Sequence, residues 1–78
     1  MSSRLTLDRV KSGADAVVAD VSGDRHLARR LMEMGLTLGA TLRVVRRAPF
    51  GDPIEVYVRG YHLTLRSQEA GNVIVTVT

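Results

Sequence analysis

Two histidines, His26 and His62, are the side chains in this sequence best suited to ligating a transition metal. They stand far apart in the chain, without a helical i, i+4 partner or a pair of carboxylates nearby. Imidazole with Asp or Glu suits Fe2+ or Zn2+, so a surface contact through His26 or His62 stays open, but the spacing spells out no fixed coordination set. Cysteine is absent, which removes disulfides, thiolate zinc sites, iron–sulfur ligation and thiol nucleophiles together. Nucleophile elbows, phosphate loops ending in Gly-Lys-Ser/Thr, HExxH helices and nucleotide-binding glycine patterns are missing too, so no catalytic residue is assigned. Ser67 and Glu69 read most simply as caps of a turn. The expectation is a protein that is not an enzyme and carries no cofactor, beyond weak Fe2+ or Zn2+ binding at the surface.

Ten arginines and one lysine against eight acids give a net charge of +3. Such a balance favours an acidic protein surface, anionic lipid or nucleic acid. The basic residues fall singly or in pairs with no run of five, as on ordinary solvated faces. A nucleic-acid surface would draw on Arg43, Arg46, Arg47, Arg59 and Arg66 on outer strand faces, with Tyr57 and Tyr61 as stacking platforms. Aromatic residues make up only 4% of the chain, and neither a ribonucleoprotein sequence nor a helix-turn-helix signature occurs. A small basic nucleic-acid-binding barrel is therefore the alternative, and no nucleic-acid partner is expected.

Docking onto a protein is better supplied. If residues 24–34 form a helix, advancing ~100° per residue, Arg25, Arg29 and Met32 share the side opposite Leu27. A polarizable methionine between arginines suits an acidic partner surface, although single exposed apolar residues are also ordinary. Phe50, the only phenylalanine, lies between Pro49 and Pro53, whose restricted backbone lowers the entropy lost on binding. It either serves as a second contact or folds over the open end of the domain. The candidate partner-binding residues are thus Arg25, Arg29, Met32, Pro49 and Phe50.

The elements that position these residues can be read from periodicity and punctuation. Seventy-eight residues make one domain, spanning 1–78, with 45% hydrophobic residues and a packed core. Leu5 to Val10 reads as a lead-in closed by Lys11-Ser12-Gly13. Ala14 to Val21 is the first full strand, with Val17, Ala19 and Val21 on one face. Asp24 caps a helix that runs to about Met34, Leu27, Leu31 and Met34 form its core stripe, and Gly35 suits the left-handed position after it.

Beyond the turn Leu36-Thr37-Leu38-Gly39, the stretch Ala40 to Ala48 is a strand with Leu42 and Val44 on one side and Arg43, Val45 and Arg47 on the other. Pro49 to Pro53 must be a loop. Ile54, Val56 and Val58, then Leu63 and Leu65, alternate with polar residues around Gly60, which makes a hairpin. Ser67 to Ala70 fits one helical turn, and Val73, Val75 and Val77 face one way on a last strand, with Ile74, Thr76 and Thr78 on its other side. The fold class expected is mainly β: a small five-stranded SH3-like barrel with one α-helix between the first and second main strands. Apolar runs are far too short to span a bilayer, and Met1-Ser2-Ser3-Arg4 opens without a signal-peptide apolar stretch.

The run from Arg29 through Leu31-Met32-Glu33-Met34-Gly35-Leu36-Thr37-Leu38-Gly39 to Leu42 resembles the helix-and-turn signature of the FeoA family, ferrous iron transport protein A. Ala48-Pro49-Phe50-Gly51-Asp52-Pro53 resembles the loop before that family's central hairpin. Gly60 to Arg66 with Glu69-Ala70 resembles its closing segment. Leu38 departs from the pattern, standing where many relatives carry proline. The resemblance implies an SH3-like accessory protein of ferrous iron uptake that binds FeoB, a membrane transporter with a cytoplasmic GTP-hydrolysing domain. It further implies a cytoplasmic protein, peripheral to the inner membrane through that partner and not itself membrane-spanning. Iron carriage or sensing is a second alternative, and edge strands leave a homo-oligomer open.

Overall fold

The computed structural model describes residues 3–77. Six strands form one antiparallel sheet: β1 (Ser3–Thr6), β2 (Asp15–Val21), β3 (Thr41–Arg47), β4 (Ile54–Val58), β5 (Tyr61–Leu65) and β6 (Val73–Val77). Helix α1 (Arg25–Glu33) joins β2 to β3, a single turn α2 (Ser67–Ala70) joins β5 to β6, and a 3-10 turn, Leu7–Arg9, follows β1. The sheet order is β1-β6-β2-β3-β4-β5. The mainly β class therefore holds, with a sixth strand where the sequence suggests only a lead-in. That strand is legible only through its partner, since Ser3 to Thr6 lie against Val77 to Ile74 of β6.

The sheet curls around one core. Alternate residues Leu42 and Val44 of β3, Ile54, Val56 and Val58 of β4, and Val73 and Val75 of β6 are buried, together with Leu7, Val10, Leu31, Leu36 and Leu65. No polar residue is buried among the described residues, and apolar side chains fill the interior. β1 and β5 stand at the two ends of the strand order and do not pair, so hydrogen bonds do not close the barrel.

Two bulges revise the expected faces. Ala16 and Val18 are buried while Val17 is 39% exposed, and the register then shifts between Val18 and Asp20 so that Val21 packs inward. Val17, Ala19 and Val21 therefore do not share a single face. A second shift, between Val44 and Arg46, adds a residue to β3 and re-aims Arg47. Instead of standing on the outer face, Arg47 is half-buried and its guanidinium donates to the carbonyls of Asp8 and Val10. Thr78, assigned by alternation to the outer side of the last strand, lies outside the described residues, as do Met1 and Ser2.

Candidate functional site

Helix α1 starts where the sequence places it. The Asp24 carboxylate accepts from the Leu27 N–H at 2.8 Å, satisfying a donor of the first turn. The helix ends in a Schellman arrangement: Leu36 N–H donates to the Leu31 carbonyl at 3.2 Å and Gly35 N–H to that of Met32 at 3.0 Å. Gly35 takes φ 108°, a left-handed value that side chains disfavour. Leu31 and Leu36, the apolar pair of this motif, are both fully buried. They anchor the inner side of α1, and Arg30 pairs with Glu69 of α2.

With that side fixed, Arg25 and Arg29 are exposed and Met32 is 38% exposed. Neither arginine takes part in an ion pair among the described residues. A shallow depression runs along the helix between Asp24, His26, Leu27, Arg29, Arg30 and Glu33. Arg25, Arg29 and Met32 thus present two guanidiniums and one soft apolar contact, while Asp24 and Glu33 place carboxylates at the border of the depression.

Phe50 projects from the loop between β3 and β4. A turn bond from Gly51 N–H to the Ala48 carbonyl, at 2.7 Å, and one from Ala48 N–H to the Pro53 carbonyl, at 3.1 Å, hold the loop. Asp52 accepts from the Ser67 N–H at 3.0 Å and ties it to the start of α2. Phe50 is nonetheless 98% exposed, so it does not fold over the open end of the domain. Pro49 beside it is exposed as well. The structure does not join this loop to the α1 patch. The helix feeds the Thr41 end of β3 and the loop leaves at the Arg47 end, about 20 Å away at ~3.3 Å per residue.

The two histidines are likewise separate. His26 is exposed in the first turn of α1. His62 lies on β5 with Nδ1 3.0 Å from Glu55 Oε2, its ring edge against Tyr57 at a centroid distance of 4.9 Å. Glu55 also accepts from Arg46 at 3.1 Å, so a cation already occupies the carboxylate. No group of three or more potential metal ligands exists among the described residues. The Glu55 carboxylate is thus shared between the Arg46 guanidinium and the His62 ring.

Sequence reasoning missed one arrangement. Strand register aligns Asp15, Arg43, Tyr57 and His62 in a row across β2 to β5. They line an open groove of about 610 Å³ with Thr41, Val45 and Arg59. Alternation alone puts Arg43, Tyr57 and His62 on the outer face, but their alignment depends on register, which no periodicity fixes. Arg43 Nε donates to Asp15 at 2.7 Å. That hydrogen bond, reinforced by the charge of the guanidinium, holds the Asp15 carboxyl below the ordinary range and raises Arg43 above its own. Of the five arginines grouped as a nucleic-acid face, Arg43 and Arg46 lie on an outer strand face, Arg47 turns inward, Arg59 sits in a turn and Arg66 caps α2.

The FeoA domain family model matches residues 5–77. The chain is 32% identical over 71 residues to a Fe(2+) transport protein A/Fe(2+) transporter FeoB fusion protein of Porphyromonas gingivalis, covering 91% of this chain and 8% of that one. The solution structure of FeoA from Chlorobium tepidum superposes with a TM-score of 0.87 at 44% identity, covering 94% of this chain and 70% of that one. FeoA of Stenotrophomonas maltophilia, described as a prokaryotic SH3 domain protein and solved with zinc, gives a TM-score of 0.79 at 35% identity, over 91% and 88% of the two chains. The curled sheet is thus SH3-like, and because the match runs from Leu5 to Val77, this chain belongs to the FeoA domain family.

Proposed function

We propose that this FeoA domain is a non-enzymatic accessory of ferrous iron transport that docks on the cytoplasmic, GTP-hydrolysing part of a FeoB-type transporter. The observation that carries the reading is the Porphyromonas gingivalis relative, in which one polypeptide unites the two proteins. Fusion keeps two partners at high effective concentration, an arrangement that favours domains acting together. The chain spans 8% of that relative, and its own contribution is a rigid barrel with two separated contact points. Arg25, Arg29 and Met32 supply a basic, partly apolar face for an acidic surface, and Phe50 an aromatic contact held at a loop tip. On this reading the protein is cytoplasmic and reaches the inner membrane through its partner. Iron is the transporter's cargo and is not retained on His26 or His62; anaerobic calorimetry with Fe2+ is expected to give no stoichiometric binding.

Co-purification of the tagged chain with the transporter encoded by the same genome, from native membranes with and without guanine nucleotide, tests the reading. Arg29→Glu combined with Met32→Asp is expected to reduce recovery of the complex at least ~10-fold while circular dichroism and the melting curve stay as in the wild type. Undiminished recovery would remove α1 as the docking face. A complex absent even with the wild-type chain would remove the partner.

A further inference from the structure

The sheet ends on one side at β5, and its hairpin reveals which backbone groups lie free. Val58 and Tyr61 face each other across the two-residue turn Arg59-Gly60, whose φ values of 52° and 85° mark the type I′ form. In such a hairpin the flanking pair is hydrogen-bonded and bonded pairs alternate along the ladder. Val58 with Tyr61, Val56 with Leu63 and Ile54 with Leu65 therefore exchange bonds, and the N–H and C=O groups of His62 and Thr64 point away from β4. Among the described residues, no backbone group outside the hairpin bonds to them. Tyr61, His62 and Thr64 are exposed, and β5 carries no proline or lysine to guard the edge.

Charge says what this edge accepts. Arg59 precedes the strand and Arg66 follows it, both exposed and neither in an ion pair among the described residues; Arg59 donates to the neutral Thr37 Oγ1 at 2.8 Å, which leaves its charge unbalanced. Residues 59–66 contain no acid. Glu55, opposite Thr64 on β4, is already held by Arg46 and His62.

A second copy of the chain fits badly. The antiparallel self-pairing that uses all of these free groups sets His62 against Thr64 and Leu63 against Leu63. Arg66 then falls opposite Gly60, beside Arg59 of the other copy, and this happens at both ends of the paired strands. Like charges so placed repel, and the net charge of +3 on each copy adds to the effect.

We infer that the β5 edge takes up, as an added strand, an extended segment of a partner protein with acidic residues near both ends. Main-chain bonds to His62 and Thr64 provide the affinity, and Arg59 and Arg66 select the acidic ends. Arg59 lies beside Gly60 in the turn, and the six steps from Gly60 to Arg66 at ~3.3 Å set the two arginines about 20 Å apart along the strand, the span of roughly seven extended residues. The inference stands whether or not that partner is the transporter.

The test is an NMR titration of the 15N-labelled full chain, at low salt, with the capped octapeptide Asp-Glu-Val-Thr-Ile-Thr-Glu-Asp. The largest shifts are expected at the His62 and Thr64 amides, whose hydrogen exchange slows by ~10-fold or more on pairing. Lysine at the four acidic positions of the peptide should weaken binding at least ~10-fold, and so should Arg59→Asn with Arg66→Gln in the protein. Asparagine tolerates the left-handed turn position, so the double variant retains the hairpin. Shifts confined to α1, equal binding of the lysine peptide, or unchanged affinity in the double variant would each overturn the proposal. Tighter binding of an eight-nucleotide oligothymidylate at the same edge would replace a protein segment by nucleic acid. Concentration-dependent dimerisation in sedimentation, abolished by Thr64→Pro, would assign the edge to a second copy.

Discussion

The two ends of β3 solve opposite problems. At the helix end, the linker after α1 is drawn into the domain at Leu36 and Ala40, both buried, although Leu38 between them is 59% exposed; Gly39 N–H donates to the Val18 carbonyl at 2.8 Å, and Val18 N–H donates to that of Ala40 at 2.9 Å. At the loop end, hydrogen bonds also hold the backbone, but Phe50 is left 98% exposed. A connection can thus be ordered while it fills the core, as at Leu36, or while it displays its aromatic residue, as at Phe50. Leu36 belongs to the stability of the domain; Phe50 belongs to its outside.

The largest expected effect breaks this comparison if it fails. Leu36→Ala removes a fully buried side chain that packs in the core with Leu31, and should cost about 2–5 kcal/mol in urea unfolding. In so small a domain that is a large share of the total. Phe50→Ala should change stability by less than about 0.5 kcal/mol, since the ring touches little that unfolding would expose. Equal costs at the two positions would mean that Phe50 spends its time packed against the barrel in solution, and the contrast between the two ends would collapse.

An intermediate effect sharpens the same contrast within one strand. Arg46 and Arg47 are neighbours on β3 and point to opposite faces, and the bulge before them decides that the first goes outward to Glu55 and the second inward to the Asp8 and Val10 carbonyls. Arg47→Ala leaves two half-buried carbonyls without their donor and should cost about 1–3 kcal/mol. Arg46→Ala removes a pair whose arginine is 79% exposed and should cost at most about 1 kcal/mol. Hydrogen exchange in residues 7–10 should rise for Arg47→Ala alone, because that guanidinium ties the 3-10 turn to the end of β3.

How much of this was legible in the sequence depends on whether the signal was local. The Asp24 cap, the stripe through Leu31, Gly35 and the hairpin at Gly60 are all set by neighbours within a few residues, and the structure keeps each of them. β1 was not legible as a strand, because its four residues are fixed by β6 at the far end of the chain. Arg47 was placed on the wrong side, since simple alternation cannot register an inserted residue at a bulge. Candidate contacts on α1 follow from helical geometry, and their exposure agrees with it. Their separation from Phe50 depends on the direction of β3 between them and could not be read from spacing. The unpaired backbone of His62 and Thr64 required the strand order, which no motif in the sequence carries.

The smallest effect concerns the outer row and separates surface electrostatics from the core. Asp15 has its pKa lowered by the hydrogen bond from Arg43, and then by that residue's charge. A depressed carboxyl pKa contributes stability that is present above its unfolded value and is lost as pH falls through the folded one. The loss therefore lies below about pH 4, where unfolded aspartate begins to protonate. For Arg43 the raised pKa contributes at every lower pH and is lost only far into alkali, so only the acid limb can be observed. Both groups are solvent-exposed, and the contribution is screened by salt. Asp15→Asn should melt slightly below the wild type at neutral pH and low salt, and the two curves should converge on acidification toward pH ~2. Parallel curves over that range would show that the Asp15–Arg43 pair aligns the row without stabilising it.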